Sequence, residues 1–257
     1  MLTIKGLNSG YGKLQVIFNL DVEAPAKGIT VVVGPNGAGK TTLLCSIMGI
    51  ANVFSGEMFF EGSTLKNQMT HMLAKKGISY VPQMGNVFAE LTVMDNLQMA
   101  GYLMPKSEIK KKAEQMTEMF PVLKKFIQRK AGTLSGGERR MLAVAMGLMK
   151  NPKLMLLDEL STDLAPIIAE KVMSEVARLR DELGITILMV EQMAKRALEI
   201  GDTAYLLVSG GVKYAGKAED LLHNPDLCSM YLGIKQPAHR ATAQEPSTKT
   251  VLPERSE

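Results

Sequence analysis

Gly34-Pro35-Asn36-Gly37-Ala38-Gly39-Lys40-Thr41 is the stretch on which the reading of this chain turns. It matches the pattern GxxxxGK(S/T), in which glycines let successive backbone N–H groups curl around phosphate oxygens without Cβ clashes. The flanks agree with that reading. Gly28 opens the β-branched run Ile29-Thr30-Val31-Val32-Val33, which reads as a buried strand. A helix is expected from about Lys40 to Met48, and its N-terminus adds a dipole that favours anions. In this pattern Gly34, Pro35, Asn36, Gly37, Ala38 and Gly39 form a cradle. Lys40 reaches the β- and γ-phosphates of a nucleotide, the Thr41 hydroxyl ligates Mg²⁺, and Thr42 bonds near the α-phosphate. A glycine-rich turn with a chance lysine is the bland alternative, and spacing and flanks both argue against it.

Leu154-Met155-Leu156-Leu157-Asp158-Glu159 sets four apolar residues before two carboxylates. A buried strand of this kind delivers Asp158 to a metal ion. It leaves Glu159 one residue further on, placed to polarise an attacking water as general base. Alone, the run would read as a strand ending in solvated acids, and the upstream phosphate loop changes that reading. A third element, Leu134-Ser135-Gly136-Gly137-Glu138, carries an S-x-x-E capping box at the start of a helix to about Met149. A capped helix start with two glycines also exposes backbone donors that can hold a phosphate.

The rest of the chain bounds these motifs. Its 257 residues allow one large α/β domain or two small ones. The net charge of +4 lacks the strong basic excess of a nucleic-acid binder. Cys45 and Cys228 are far apart and in no ligand-like spacing, so neither a disulfide framework nor a cysteine metal site is expected. No apolar run approaches the roughly 20 residues that span a bilayer, and the first residues lack a signal pattern. Any membrane role is therefore expected to come through partner chains.

Leu2–Leu7 and Val16–Val22 read as strands, and Glu57–Phe60 with Ile78–Val81 as a short strand pair. Leu91–Leu103 and Glu108–Phe120 have helical spacing, which suggests a helical subdomain inserted over about 84–150. Strand Leu154–Leu157, helix Ile167–Leu183, strand Ile185–Val190 and helix Met193–Ile200 then alternate, as in a parallel sheet covered on both faces. Tyr205–Val208 and Val212–Tyr214 look like a hairpin. Residues 236–257, rich in Pro, Ser, Thr and charge, are expected to be a disordered tail.

Taken in order, the three motifs resemble the ATP-binding cassette (ABC) family, whose signature LSGGE is reproduced at Leu134–Glu138; the resemblance covers roughly residues 2–234. It implies an α/β P-loop fold of ABC type, with a mainly parallel core sheet, an antiparallel β subdomain and an inserted helical subdomain. Residues 1–235 would form the ATPase domain. Two cassettes of that family close head to tail with ATP between them. Ser135, Gly136 and Gly137 would then meet the γ-phosphate bound by Lys40 of a second ATPase chain, identical or paralogous. By the same resemblance Tyr11 stacks on adenine, and Gln83 senses Mg²⁺ and the γ-phosphate. Ser161–Leu164 crosses the dimer interface, and residues 84–104 receive a membrane-spanning partner.

Two departures stand out. Where the family usually has proline after the catalytic glutamate, this chain has Leu160, which restores an N–H and should loosen the turn. Where it usually has histidine, this chain has Gln192, which can hydrogen-bond the γ-phosphate but cannot titrate near neutral pH. That glutamine is characteristic of one branch, the ATP-binding subunits of branched-chain amino acid importers. Asp163–Ile168, Asn86–Val93 and Tyr231-Leu232-Gly233 also look like that branch, and like the shorter of its two ATPases. Asp163 replaces a usual glycine, so the interface loop should be more restricted.

The resemblance implies an ATPase using ATP and Mg²⁺ on the inner face of the cell membrane. It would act with a second cassette, two transmembrane permease subunits and an extracytoplasmic substrate-binding protein, and with no nucleic acid. A regulatory cassette with little turnover and a soluble, non-transport ABC protein are the alternatives.

Overall fold

The computed structural model describes residues 1–227, 229 and 231. The tail expected over 236–257, the Leu232-Gly233 part of the branch motif and Cys228 lie outside them.

β1 (Leu2–Tyr11) and β2 (Leu14–Ala24) pair antiparallel, then β3 (Ile29–Val33) leads into α1 (Lys40–Ile47). β4 (Asn52–Phe60), β5 (Ser63–Thr64) and α2 (Thr70–Lys75) follow, then β6 (Ile78–Val81). The connection from β6 onward builds α3 (Val93–Ala100), α4 (Lys106–Met119), α5 (Pro121–Lys124) and α6 (Gly136–Leu148) before β7 (Leu154–Asp158). α7 (Pro166–Leu183), β8 (Thr186–Glu191), α8 (Ala194–Ile200), β9 (Thr203–Val208), β10 (Gly211–Lys217), α9 (Ala218–Leu222) and α10 (Pro225–Leu227) complete the order.

The strands form two sheets. One is antiparallel in the order β2-β1-β4-β5; the other runs β10-β9-β3-β8-β7-β6 and is parallel except for the β9–β10 hairpin. Glu57–Phe60 and Ile78–Val81 are therefore not a pair, as the sequence had suggested. The first belongs to β4 against β1, and the second lines up beside β7. Local pattern marks both as strands, but α2 carries the chain between sheets, and nothing in either strand encodes that.

The parallel strands are buried on both faces, and their alternation sorts residues between two cores. Val31, Met155, Leu157, Ile187 and Met189 face the core shared with α4, α6, α7 and α8. Val32, Leu154, Leu156, Leu188 and Val190 face the other, which α1 shares with the antiparallel sheet. α1 lies between the sheets with every residue buried except Thr41. The one outward residue of this helix is thus a candidate site residue.

The segment after β6 is tied to α3 by one buried side chain. Asn96 Nδ2 donates to the carbonyls of Phe88 (3.0 Å) and Thr92 (2.9 Å), and its Oδ1 accepts from the Phe88 N–H (2.8 Å). Thr92 caps α3 with Asp95 in a full capping box. Asn96→Ala would leave the Phe88 N–H without its partner and take one of two donors from each of the Phe88 and Thr92 carbonyls, and is expected to cost about 1–3 kcal/mol. Denaturant unfolding of the variant measures this, and an unchanged midpoint would contradict it.

Candidate active site

Because β3, β8, β7 and β6 are parallel neighbours, the segments leaving their C-terminal ends lie side by side. Those segments carry Gly34–Gly39, Gln192, Glu159 and Gln83 respectively. They enclose a cavity of about 460 Å³ lined by Val16, Asn36, Gly37, Gly39, Lys40, Thr41, Thr42, Gln83, Glu159, Thr162 and Gln192.

The loop after β3 needs its glycines for different reasons. A Cβ on Gly34 would sit 2.1 Å from the Leu207 carbonyl oxygen at the end of β9. Gly37 and Gly39 have φ of 78° and 99°, where an L side chain is strained. Gly39 is also the N-cap of α1. Lys40 folds back over this loop, its Nζ donating to the carbonyls of Gly34 (3.0 Å) and Pro35 (3.3 Å).

Each carboxylate after β7 has its own partners. Asp158, 1% exposed, accepts from Thr41 Oγ1 at Oδ1 and from Tyr80 OH at Oδ2, both at 3.0 Å. Burial raises its pKa above the usual range; the two hydroxyl donors oppose that rise, and the charge of Glu159 adds to it. Glu159 takes a left-handed backbone, φ 46°. Its Oε1 lies 3.4 Å from Lys40 Nζ, and its Oε2 accepts from Gln83 Nε2 (2.9 Å) and Thr162 Oγ1 (3.1 Å).

A third carboxylate, Glu191 at the end of β8, is fully buried. It accepts from Ser161 N–H (3.0 Å), Ser161 Oγ (2.6 Å) and the Leu160 amide. Burial pushes its pKa up to about 7 against those hydrogen bonds, with the Glu159 charge adding to the rise. The Leu160 side chain is fully buried, and Ser161 ties the turn to β8. Asp163 has φ 63°, a left-handed geometry that glycine adopts freely and an aspartate tolerates at about 1 kcal/mol.

Other expected residues fall outside the cavity. Tyr11, 44% exposed at the end of β1, turns its hydroxyl toward Cys45 and Thr42. Ser135 and Glu138 close the expected capping box, with Ser135 N–H donating to Glu138 Oε2 at 2.8 Å. Gly137 packs so tightly under α7 that a Cβ would lie 2.3 Å from Ile168 Cγ2. Gly136 lines a second cavity, about 340 Å³, together with Arg140 and Asp163. Gln83 and Thr162 border both cavities, and Arg140 on α6 hydrogen-bonds the Gln83 carbonyl. Sequence reasoning missed Tyr80, Arg140 and the role of Glu191. Tyr80 and Glu191 act across strand neighbours and Arg140 across an interelement gap, so no local spacing announces them.

A glycine loop at a helix N-terminus beside two strand-end carboxylates defines a P-loop nucleoside-triphosphatase. The family model described as ABC transporter matches residues 17–162, and the chain belongs to that family of ATP-binding ATPases. It is 47% identical to the probable branched-chain amino acid transport ATP-binding protein LivF of Archaeoglobus fulgidus, over 91% of this chain and 99% of that one. It is 39% identical to the high-affinity branched-chain amino acid transport ATP-binding protein BraG of Pseudomonas aeruginosa, over 91% and 100%. A solved ATP-binding cassette of an ABC transporter superimposes with a TM-score of 0.82 at 26% identity, over 91% of this chain and 99% of that chain. The fold and the resemblance read from the motifs agree with these findings.

The raised pKa of Glu191 makes a prediction about pH. A folded pKa above the unfolded value contributes stability that is full below the unfolded pKa, near 4.5, and is lost as pH rises through about 7. Glu191→Gln removes that loss. Its stability relative to wild type is expected to climb between pH 5 and 8 by an amount on the order of 3 kcal/mol. Denaturant melts of both proteins across that range measure this, and a constant difference would contradict it.

Proposed function

We propose that this chain hydrolyses ATP to drive a membrane importer for branched-chain or other amino acids, whose membrane-spanning parts are other chains. The observation that carries the reading is the cluster of Lys40, Thr41 and Glu159 on the cavity wall, with Asp158 bonded to Thr41 behind it and the Lys40 and Glu159 side chains 3.4 Å apart. A phosphate-binding cation and a carboxylate base within one ion-pair distance suit attack of water on a γ-phosphate. Glu159 takes the proton from the water as the new P–O bond forms, and ADP departs with the electrons of the bond that breaks. Lys40 holds the β- and γ-phosphates, Thr42 the α-phosphate, and Gln192 donates to the γ-phosphate without titrating. Tyr11 lies at the nucleobase end.

The residues present fit a magnesium ion. Thr41 Oγ1, the Asp158 carboxylate and the Gln83 side-chain carbonyl are hard oxygen donors. Among the described residues no group of three or more His, Cys, Asp or Glu could hold a metal without help, which suits an ion shared with phosphates. When bound, that ion neutralises charge on the β- and γ-oxygens.

Ser135, Gly136 and Gly137 lie off the Lys40 cavity, which favours their serving the nucleotide of a second ATPase chain. Residues 1–235 would be one ATPase domain with 84–150 as its helical subdomain. No helix among the described residues is long and apolar enough to cross a membrane. The exposed Met84, Phe88, Met99 and Tyr102 offer a surface for two permease subunits. An extracytoplasmic substrate-binding protein and a location on the inner face of the cell membrane complete the reading. Gln192 supports a second reading, a regulatory cassette that binds ATP with little turnover.

ATP hydrolysis by the purified chain, alone and with permease partners reconstituted, separates these. Turnover that rises with the partners and falls at least about 100-fold in Glu159→Gln, with ATP binding kept, is expected. Lys40→Ala should weaken ATP binding itself. Normal turnover by Glu159→Gln would remove the assigned base, and tight binding without turnover in both settings would favour the regulatory cassette.

A further inference from the structure

We propose that Tyr80 is a positioning residue for the metal side of the site, its hydroxyl holding in place the Asp158 carboxylate that would ligate the ion accompanying ATP. The inference rests on the reading of Asp158 as a metal ligand given above. Tyr80 is on β6, in register with Leu156 of β7, so its side chain rises beside the residue two places further on. Its OH donates to Asp158 Oδ2 at 3.0 Å while Thr41 Oγ1 donates to Oδ1 at 3.0 Å. Each carboxylate oxygen thus has one hydroxyl donor, one from α1 and one from β6, and each keeps lone pairs for an ion. At 1% exposure the carboxylate has almost no contact with solvent that could orient it instead.

The phenol is itself held. Its ring packs against the core that α1 shares with the antiparallel sheet. Cys45 of α1 lies beside both Tyr80 and Tyr11. Thr41 and Cys45 are four residues apart on α1 and so lie on one face of it. A single helix face therefore sets Thr41 against Asp158 directly and Cys45 against the tyrosine that holds the other oxygen. Partners that orient a metal ligand in this way are typically worth about 10–100-fold in metal affinity or activity.

The test uses the full chain and a non-hydrolysable ATP analogue, with affinity measured in EDTA and in excess Mg²⁺. The wild-type ratio of the two affinities reports the ion's contribution. Tyr80→Phe removes one hydroxyl and keeps the ring. It is expected to lower that ratio about tenfold while leaving the affinity in EDTA unchanged, and to raise the Mg²⁺ concentration for half-maximal hydrolysis by a similar factor. In an Asp158→Asn background the same substitution should change the ratio less than twofold. Equal loss of affinity in EDTA and in Mg²⁺, with a lowered melting temperature, would mean that Tyr80 only supports the fold, and would overturn the proposal. A wild-type ratio reproduced by Tyr80→Phe would overturn it while leaving Asp158 as ligand. A wild type with no Mg²⁺-dependent gain would bring down the metal reading and this inference together.

Discussion

Two adjacent carboxylates at the end of a buried strand are costly without partners, and the fold around Asp158 and Glu159 is arranged to supply them. Asp158 takes hydroxyls from Thr41 and Tyr80, and Glu159 takes Lys40, Gln83 and Thr162. These partners come from four separate segments, following β3, in β6, following β6 and following β7 itself. Only a parallel sheet in the order β3-β8-β7-β6 brings those segments to one edge. β8 contributes a third buried acid, Glu191, which is satisfied by the turn that follows Glu159. The backbone of that turn is thus held from both sides, by Glu159 toward the phosphate loop and by Ser161 toward β8.

The same arrangement links the cavity to the helices between β6 and β7. Gln83 leaves β6, bonds Glu159 through its side chain and accepts from Arg140 of α6 through its carbonyl. α6 begins at Ser135–Gly137 and packs on α7 so closely that Gly137 has no room for a side chain. A change at the phosphate end of Gln83 therefore has a short covalent and hydrogen-bonded route to the start of α6. A nucleotide that binds differently to two arrangements of this route would shift the balance between them.

Much of this was legible in the sequence because it is local. The run Ile29–Val33 and the loop that follows, the Asp158-Glu159 pair and the Ser135–Glu138 capping box are short-range patterns, each fixed by the conformational needs of a few consecutive residues. The partnership of β4 with β1 rather than with Ile78–Val81 was not legible, since strand pairing is settled by the chain's path through α2 and not by either strand. The tie between the turn after Glu159 and β8 is equally hidden, since Ser161 and Glu191 lie thirty residues apart in sequence. Tyr80 and Arg140 were invisible because their partners are Asp158 and the Gln83 carbonyl, which no spacing rule connects to them.

The central claim is that Lys40 and Glu159 face the same phosphate. A crystal structure of the chain with Mg²⁺ and a non-hydrolysable ATP analogue tests it most directly. The account predicts the γ-phosphate against Lys40 Nζ, with the Glu159 carboxylate turned toward the position of an attacking water and the ion between Thr41 Oγ1 and Asp158. A γ-phosphate bound away from Lys40, or an ion bound without Thr41 and Asp158 nearby, would contradict it.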